Sequence, residues 1–459
     1  MNHTQKWDPV CPKLRRVREK AQASRKERFT SLAHLIDVEA MRRSYHRLNA
    51  SAVAGIDGAT KEMYGKNLEE NLAELHQRLK AGRYRASPVR RVWIEKPGGG
   101  KRPLGIPTTA DKIVQGAVVE ILNCVYETDF RGFSYGARPG RNAHQALQAL
   151  QTVLQKGKVN WVMDADISKF FDSIGHKELM TLIQHRVSDR SLLRLIGKWL
   201  KAGVVEEDGR RIHGKQGTPQ GGAISPLLAN IFLHYVVDEY VHEWRKNRAR
   251  GEVYIVRYMD DFVIACQTGE DARELLEGLT LQLELHGLRL NGEKTRLIRY
   301  GRYWDRGKGN ESETFNFLGF THIAGKDQKG KYCVKRKTAR ERLKRGLKAV
   351  GLWCKEHRHK PMTWQYAQLI LKLKGHYNYY GVRGNFEALK QYRHGVWKGW
   401  FNTLKRRSQK GNIRRLYTLL KTVFVLPTPW ITHPEGWLNV NPGHLLGRAG
   451  CGNTARPVP

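Results

Sequence analysis

Two apolar runs in this chain each end in aspartates, and that pattern limits the folds open to it. The first is Met163-Asp164-Ala165-Asp166-Ile167-Ser168-Lys169-Phe170-Phe171-Asp172, a strand-like start leading into a helix. The second is Tyr258-Met259-Asp260-Asp261, set where one strand-like segment turns into the next. Adjacent aspartates at a hairpin tip repel each other, and a cation between them relieves the repulsion. Taken singly, each site has a plain reading: Asp is common in solvated turns, and Asp166 could cap a helix. Two such sites in one strand-bearing region of a basic protein point instead to oxygen ligands for Mg²⁺. Two divalent ions about 3.5–4 Å apart can activate a hydroxyl and neutralise a leaving phosphate oxygen, with no side-chain nucleophile. Asp166 and Asp260 are the expected ligands, supported by Asp261 and the backbone carbonyl of Ile167. Two Mg²⁺ ions are expected, with Mn²⁺ able to substitute.

Charge names the partner class. The 459 residues carry 81 Lys and Arg against 43 Asp and Glu, a formal net charge of +38. A surplus of this size favours a polyanion, because phosphate contacts release condensed counterions. Between Lys331 and Lys421 stand 25 Lys and Arg and only three acids, Glu341, Glu356 and Glu387. Apolar residues at three- and four-residue intervals run through 339–350 and 363–373, which predicts basic helices there. No apolar run reaches the 18 or so residues of a membrane span, and no apolar leader opens the chain. The six cysteines show no zinc-like pairing, so a reducing, cytoplasmic setting is expected.

The remaining patterning predicts an α+β fold with a few strands near the acids. Helices are expected at 68–79, 112–125, 142–154, 177–185, 191–200, 222–240 and 272–286, and strands at 89–94, 161–163, 253–257 and 262–266. Residues 427–459, rich in Pro and Gly, are expected as irregular chain.

Taken in order, further blocks make the chain resemble the bacterial group II intron-encoded reverse transcriptases, or maturases. Gly55-Ile56-Asp57-Gly58 resembles the opening of that family's fingers. Lys96-Pro97-Gly98-Gly99-Gly100-Lys101-Arg102-Pro103-Leu104-Gly105-Ile106-Pro107 resembles the next fingers block. Asp166 to Asp172 and Tyr258 to Asp261 resemble the two catalytic palm blocks. Gly217-Thr218-Pro219-Gln220-Gly221-Gly222 with Ser225-Pro226-Leu227-Leu228-Ala229-Asn230 resembles the template and nucleotide block. Gly287-Leu288-Arg289-Leu290-Asn291 with Lys294, then Phe317-Leu318-Gly319-Phe320, resemble the following block and the primer grip. Gly375-His376-Tyr377-Asn378-Tyr379-Tyr380-Gly381 resembles the thumb, or maturase, domain.

The resemblance implies a right-hand polymerase with an antiparallel palm sheet and a helical thumb. It divides the chain into a basic N-terminal extension (1–50), fingers (51–160), palm (161–325), a helical thumb/maturase domain (330–421) and a tail (422–459). Lys96 and Arg102 should touch the triphosphate, Gln220 the incoming sugar and base, and Lys294 the nucleotide. Phe171 occupies the place of an aromatic that rejects a ribose 2′-hydroxyl, although Phe170 and Phe171 could also be core. Tyr258, Met259, Gly221 and Gly319 should lie along primer and template. Lys335, Arg336, Lys337, Arg340, Arg342, Lys344 and Arg345 are expected to grip RNA, among rings that include Trp353, Trp364 and Trp397. Those three tryptophans are expected mainly in the core.

The implied partners are an RNA template, an RNA/DNA heteroduplex, deoxynucleoside triphosphates and a group II intron RNA, with no membrane. Two departures stand out: Met259 replaces the family's usual Ala, and no Cys- and His-bearing homing nuclease is expected after Lys421. The alternatives are a host-adopted reverse transcriptase in DNA repair or phage defence, and a catalytically idle splicing maturase.

Overall fold

The computed structural model describes residues 11–95, 100–212, 214, 216–218, 221–302, 313–407 and 412–433. At its centre is a four-stranded antiparallel sheet in the order Val253–Tyr258, Asp261–Cys266, Trp161–Asp166, Arg296–Arg299. Side chains alternate across a strand, and here both faces are covered. Met163, Ala165, Phe262 and Ile264 enter one core with the helices Ser225–Leu233 and Gly269–Leu285. Val162, Val263, Ala265 and Ile298 enter a second core with the helix Ala143–Lys156. Double burial explains why Phe262–Cys266 reads as a continuous apolar run.

A second sheet belongs to the fingers, in the order Lys101–Ile106, Val89–Glu95, Val204–Val205, Arg211–Ile212. Its middle pair is parallel, Val89 facing Val204, and the other pairs are antiparallel. Helices Thr109–Tyr126 and Arg190–Lys201 border it beside Val89. Local chemistry starts these helices where the sequence predicts. Asn142 and Gln145 form a reciprocal capping box before Ala143, and Asp189 caps Arg190–Lys201 while also accepting from the backbone of Leu32 and Ala33. Such caps contribute about 1 kcal/mol each.

Several expectations are corrected. The strand foreseen at 161–163 runs on to Asp166, so Asp166 ends a strand and caps no helix. The helix foreseen at 222–240 is Ser225–Leu233 and Glu239–Asn247, joined through a π-helical turn at His234–Asp238. The boundary foreseen at 330 falls inside a hairpin. Phe320–Lys326 pairs with Tyr332–Thr338, and with Phe315–Phe317 they form a third sheet packed on the second core. The thumb helices start only at Arg340, with Ala339 as the single joint after Thr338.

Those helices are Arg340–Glu356, Met362–Tyr380, Phe386–Leu404 and Ile413–Thr422. Leu369, Leu373, Tyr377, Leu389, Val396 and Trp400 form their separate core. Trp353 and Trp397 are half-buried against it, whereas Trp364 is 39% exposed and is not a core residue. Residues 423–433 fold back onto the helices: the Tyr377 hydroxyl donates to Pro427 O, and Arg393 donates to Leu426 O. No described helix is long and apolar enough to cross a membrane.

Candidate active site

The two carboxylate runs meet. Asp166 and Asp261 are directly opposed partners on neighbouring antiparallel strands, which sets their Cα atoms about 4.5–5.5 Å apart. Asp164, Asp166 and Asp261 share one face of the sheet by strand alternation, and Asp260 stands at the hairpin tip beside them. Met259 takes the left-handed conformation the two-residue turn demands (φ 59°). Gly136 packs so closely behind it that a Cβ there would lie 2.5 Å from Met259 N.

Crowding sets the electrostatics. Burial, then the charges of Asp164, Asp260 and Asp166, push the Asp261 carboxyl up to about 7. Asp260 and Asp164 are raised too, chiefly by burial. Two cations form ion pairs with the group: Lys294 Nζ lies 3.0 Å from Asp166 Oδ2, and Arg296 Nη2 lies 3.4 Å from Asp164 Oδ2. Among the described residues no three His, Cys, Asp or Glu side chains are already gathered around one point as a metal cage. The donor set nevertheless suits a hard divalent ion. It is all oxygen and carries surplus negative charge, and burial with mutual repulsion holds Asp260, Asp261 and Asp164 above the usual carboxylate range.

Asp166 and Asp260 open onto a cavity of about 680 Å³ lined also by Ile167, Phe171, Arg102 and Lys294, among others. Arg102 reaches it from the strand Lys101–Ile106. Phe171 is half-buried at the wall, edge-on to the fully packed Phe170 at 5.2 Å between centroids. Both residues border the cavity, Phe170 as a buried member of the core and Phe171 half-buried against it. The backbone of Thr218 donates to Phe171 O at 2.8 Å. Gly221 adopts φ 115°, and a Cβ there would lie 2.5 Å from Gly105 O, so the backbone at Gly221 runs against the Arg102 strand. Lys96 and Gln220 lie outside the described residues.

Gly319, after Leu318, makes a left-handed turn (φ 83° and 48°) at the edge of the third sheet. The Tyr379 hydroxyl donates to Leu318 O at 2.9 Å, tying this turn to the thumb. Tyr258, half-buried, packs on the same core. Arg342 is close enough to lower the Asp261 carboxyl. The other thumb cations divide by strand alternation: Lys335 and Lys337 are exposed, but Arg336 is only 4% exposed and its Nε has no partner among the described residues. Arg336 is therefore removed from the RNA-facing set. Arg340, Lys344 and the half-buried Arg345 extend the exposed set along the first thumb helix.

Sequence reasoning missed the support behind the hairpin. Arg257 and Asp238 are both fully buried, with Arg257 Nε and Nη2 donating to the two Asp238 oxygens at 2.7 and 2.5 Å. Arg257 Nη1 also donates to Asn230 Oδ1 and to the carbonyl of Met259 at 3.1 Å. Asn230 Nδ2 in turn donates to Gly136 O. Asp238 closes the π-turn, a local irregularity often found at functional sites. The available signal was an arginine inside an otherwise apolar strand, which requires a buried acid partner.

An antiparallel palm carrying paired aspartates, a fingers sheet bearing an arginine across the cavity, and a basic helical thumb define a template-copying nucleotidyl-transfer polymerase of the right-hand plan. The family described as "Reverse transcriptase (RNA-dependent DNA polymerase)" matches residues 94–322. Protein YkfC of Escherichia coli K12 is 35% identical over 280 residues, 53% of this chain and 71% of YkfC. The group II intron-encoded protein LtrA of Lactococcus lactis subsp. cremoris is 33% identical over 311 residues, covering 65% of this chain and 51% of LtrA. A 91 kDa protein in the cob intron of Schizosaccharomyces pombe is 33% identical over 239 residues, covering 50% and 29%. The chain thus spans about half of LtrA's length and less of the cob intron protein's. It belongs to the reverse transcriptase family, the RNA-directed DNA polymerases, and is similar to a group II intron-encoded member of it.

Proposed function

We propose that this protein extends a DNA primer along an RNA template using two divalent ions, Mg²⁺ in the first instance, and that it also assists splicing and mobility of a group II intron RNA. The observation that carries the reading is the pairing of Asp166 with Asp261 next to Asp260, with Asp166 and Asp260 lining a cavity that Arg102 and Phe171 also line. Asp166, Asp260, Asp261 and the carbonyl of Ile167 would hold the ions. When bound, these supply a lowered pKa for the primer 3′-hydroxyl and charge neutralisation on the triphosphate.

The chain's own groups do the remainder. Arg102 forks onto phosphate oxygens of the incoming nucleotide, and Lys96 adds a point charge to them. Lys294 donates to Asp166 and, once that carboxylate is engaged elsewhere, is free to turn toward the nucleotide. Gln220 and Gly221 lie along sugar and base, and the Phe171 ring fills the space a ribose 2′-hydroxyl needs. Tyr258, Met259 and, from the third sheet, Gly319 border the primer end. The exposed cations Lys335, Lys337, Arg340, Arg342 and Lys344 suit the phosphates of an RNA/DNA duplex or of a structured intron RNA. Asp260→Asn tests the reading. Primer extension on RNA should fall by several orders of magnitude while RNA affinity stays within about twofold; retained synthesis sinks the assignment.

A further inference from the structure

Residues 216–218 lie as a strip against the residues that follow the Phe171 ring. Gln216 forms an antiparallel bridge to Gly175, Gly217 N donates to Ile174 O at 2.8 Å, and Thr218 N donates to Phe171 O at 2.8 Å. Gly217 is left-handed (φ 90°), and a Cβ there would lie 3.3 Å from both Phe171 O and Asp172 O. The peptide plane between Gly217 and Thr218 is claimed at both of its polar groups. Its N–H goes to Phe171 O, and its C=O lies 2.7 Å from Nε2 of His176. A carbonyl only accepts, so Nε2 carries the hydrogen and donates. A plane tied on both sides is restrained against rotation, and Gln220 follows two residues after Thr218 in the sequence.

Neither packing nor its own helix accounts for a histidine at 176. The residue is the first of the helix His176–Gln184, where the dipole gives a cationic side chain no advantage. Its half-buried ring makes no other hydrogen bond, ion pair or ring contact among the described residues. Nor does it line the catalytic cavity, whereas Phe171, Asp172 and Ser173 do. What the ring does is close a unit. Phe171 holds the N–H side of the Gly217–Thr218 plane through its backbone, and His176, five residues later, holds the C=O side.

We propose that His176 is a positioning residue for nucleotide selection: without touching the nucleotide, it holds Gly217 so that the segment leading to Gln220 keeps its place beside the Phe171 ring. The proposal rests on the roles given above to Phe171 and Gln220. The test uses the full chain with His176→Phe, which keeps a ring and loses the donor, and with His176→Gln, whose amide nitrogen can donate from nearly the same place. Single-nucleotide extension of a primed RNA template gives KM and kcat for a dNTP and for the matching rNTP. His176→Phe should raise KM for the dNTP about fivefold, the size one hydrogen bond commands, with kcat and primed-template affinity within about twofold of wild type. His176→Gln should bring KM back to within about twofold. An unchanged KM in His176→Phe overturns the proposal. So does a KM that His176→Gln fails to restore, which would assign the effect to the shape of the ring. A fall in kcat or in template affinity as large as the change in KM also overturns it, because it marks a general loosening of the fold. The ratio of rNTP to dNTP incorporation gives a second readout. His176→Phe alone should raise it about threefold and, added to Phe171→Ala, should leave it where Phe171→Ala put it, since the two act through one unit. Effects that multiply independently overturn the proposal. If Phe171→Ala by itself leaves the ratio unchanged, the ring's part in sugar selection falls, while KM and its rescue still judge His176.

Discussion

The buried Arg257–Asp238 pair offers a sharp test of what holds the catalytic hairpin. Replacing Asp238 by Asn strands a guanidinium that has no access to water. Breaking a buried pair from one side costs about 3–5 kcal/mol. At roughly 2–4 °C per kcal/mol for a domain of this scale, melting should fall by roughly 6–20 °C. Removing both charges with Asp238→Leu and Arg257→Met is different, because apolar replacements of similar volume are often neutral or stabilising. The double variant should therefore recover most of the stability. It still lacks the donor to Met259 O and Asn230 Oδ1, so the left-handed turn that aims Asp260 loses its restraint. Primer extension should stay at least tenfold below wild type although melting has recovered. Thermal unfolding beside single-nucleotide extension on an RNA template reads both. Wild-type extension by the double variant would refute the positioning argument, and an unchanged melt for Asp238→Asn would mean the pair is not sealed from water.

Further outcomes follow from the site. Phe171→Ala should admit ribonucleotides, measured as the ratio of rNTP to dNTP incorporation rising at least tenfold; an unchanged ratio removes the ring from sugar selection. Asp261→Asn should raise the melting point in chelator at pH 8. The native-state carboxyl sits near 7 against about 4 when unfolded, so its ionisation weakens the metal-free fold progressively as pH rises between those values. The gain should shrink toward pH 5, and a gap as wide there would contradict the crowding account. Neutralising Lys335, Lys337, Arg340 and Arg342 together should flatten the salt dependence of heteroduplex binding, whereas Arg336→Gln should leave that slope alone.

How much of this was legible beforehand depends on how local each signal is. Asp166, Asp260 and Asp261 were visible because strand, turn and acid follow one another within a few residues. Their meeting is then a matter of antiparallel pairing in one sheet. Helix starts such as that at Ala143 were readable from Asn142 and Gln145 alone. The strands after residue 290 were not foreseen: they are short, and their apolar positions reach the core only through the packing of two sheets on one helix. Lys335–Lys337 fall within the span expected as a helical domain (330–421), yet pairing with Phe320–Lys326 fixes them as strand and turns Arg336 inward. The Arg257–Asp238 contact joins two residues nineteen apart through a π-turn that the apolar periodicity of 222–240 does not reveal.

The joint at Ala339 bears on how thumbs can be exchanged between such enzymes. One residue separates a strand of the palm-side sheet from the first thumb helix, and Asn385 locks it by accepting from Thr338 N and donating to the Thr338 hydroxyl. A graft cut at that point must bring its own equivalents of Asn385, Tyr379 and Val382 to rebuild the seam. A foreign thumb without them would dangle, however well its helices fold.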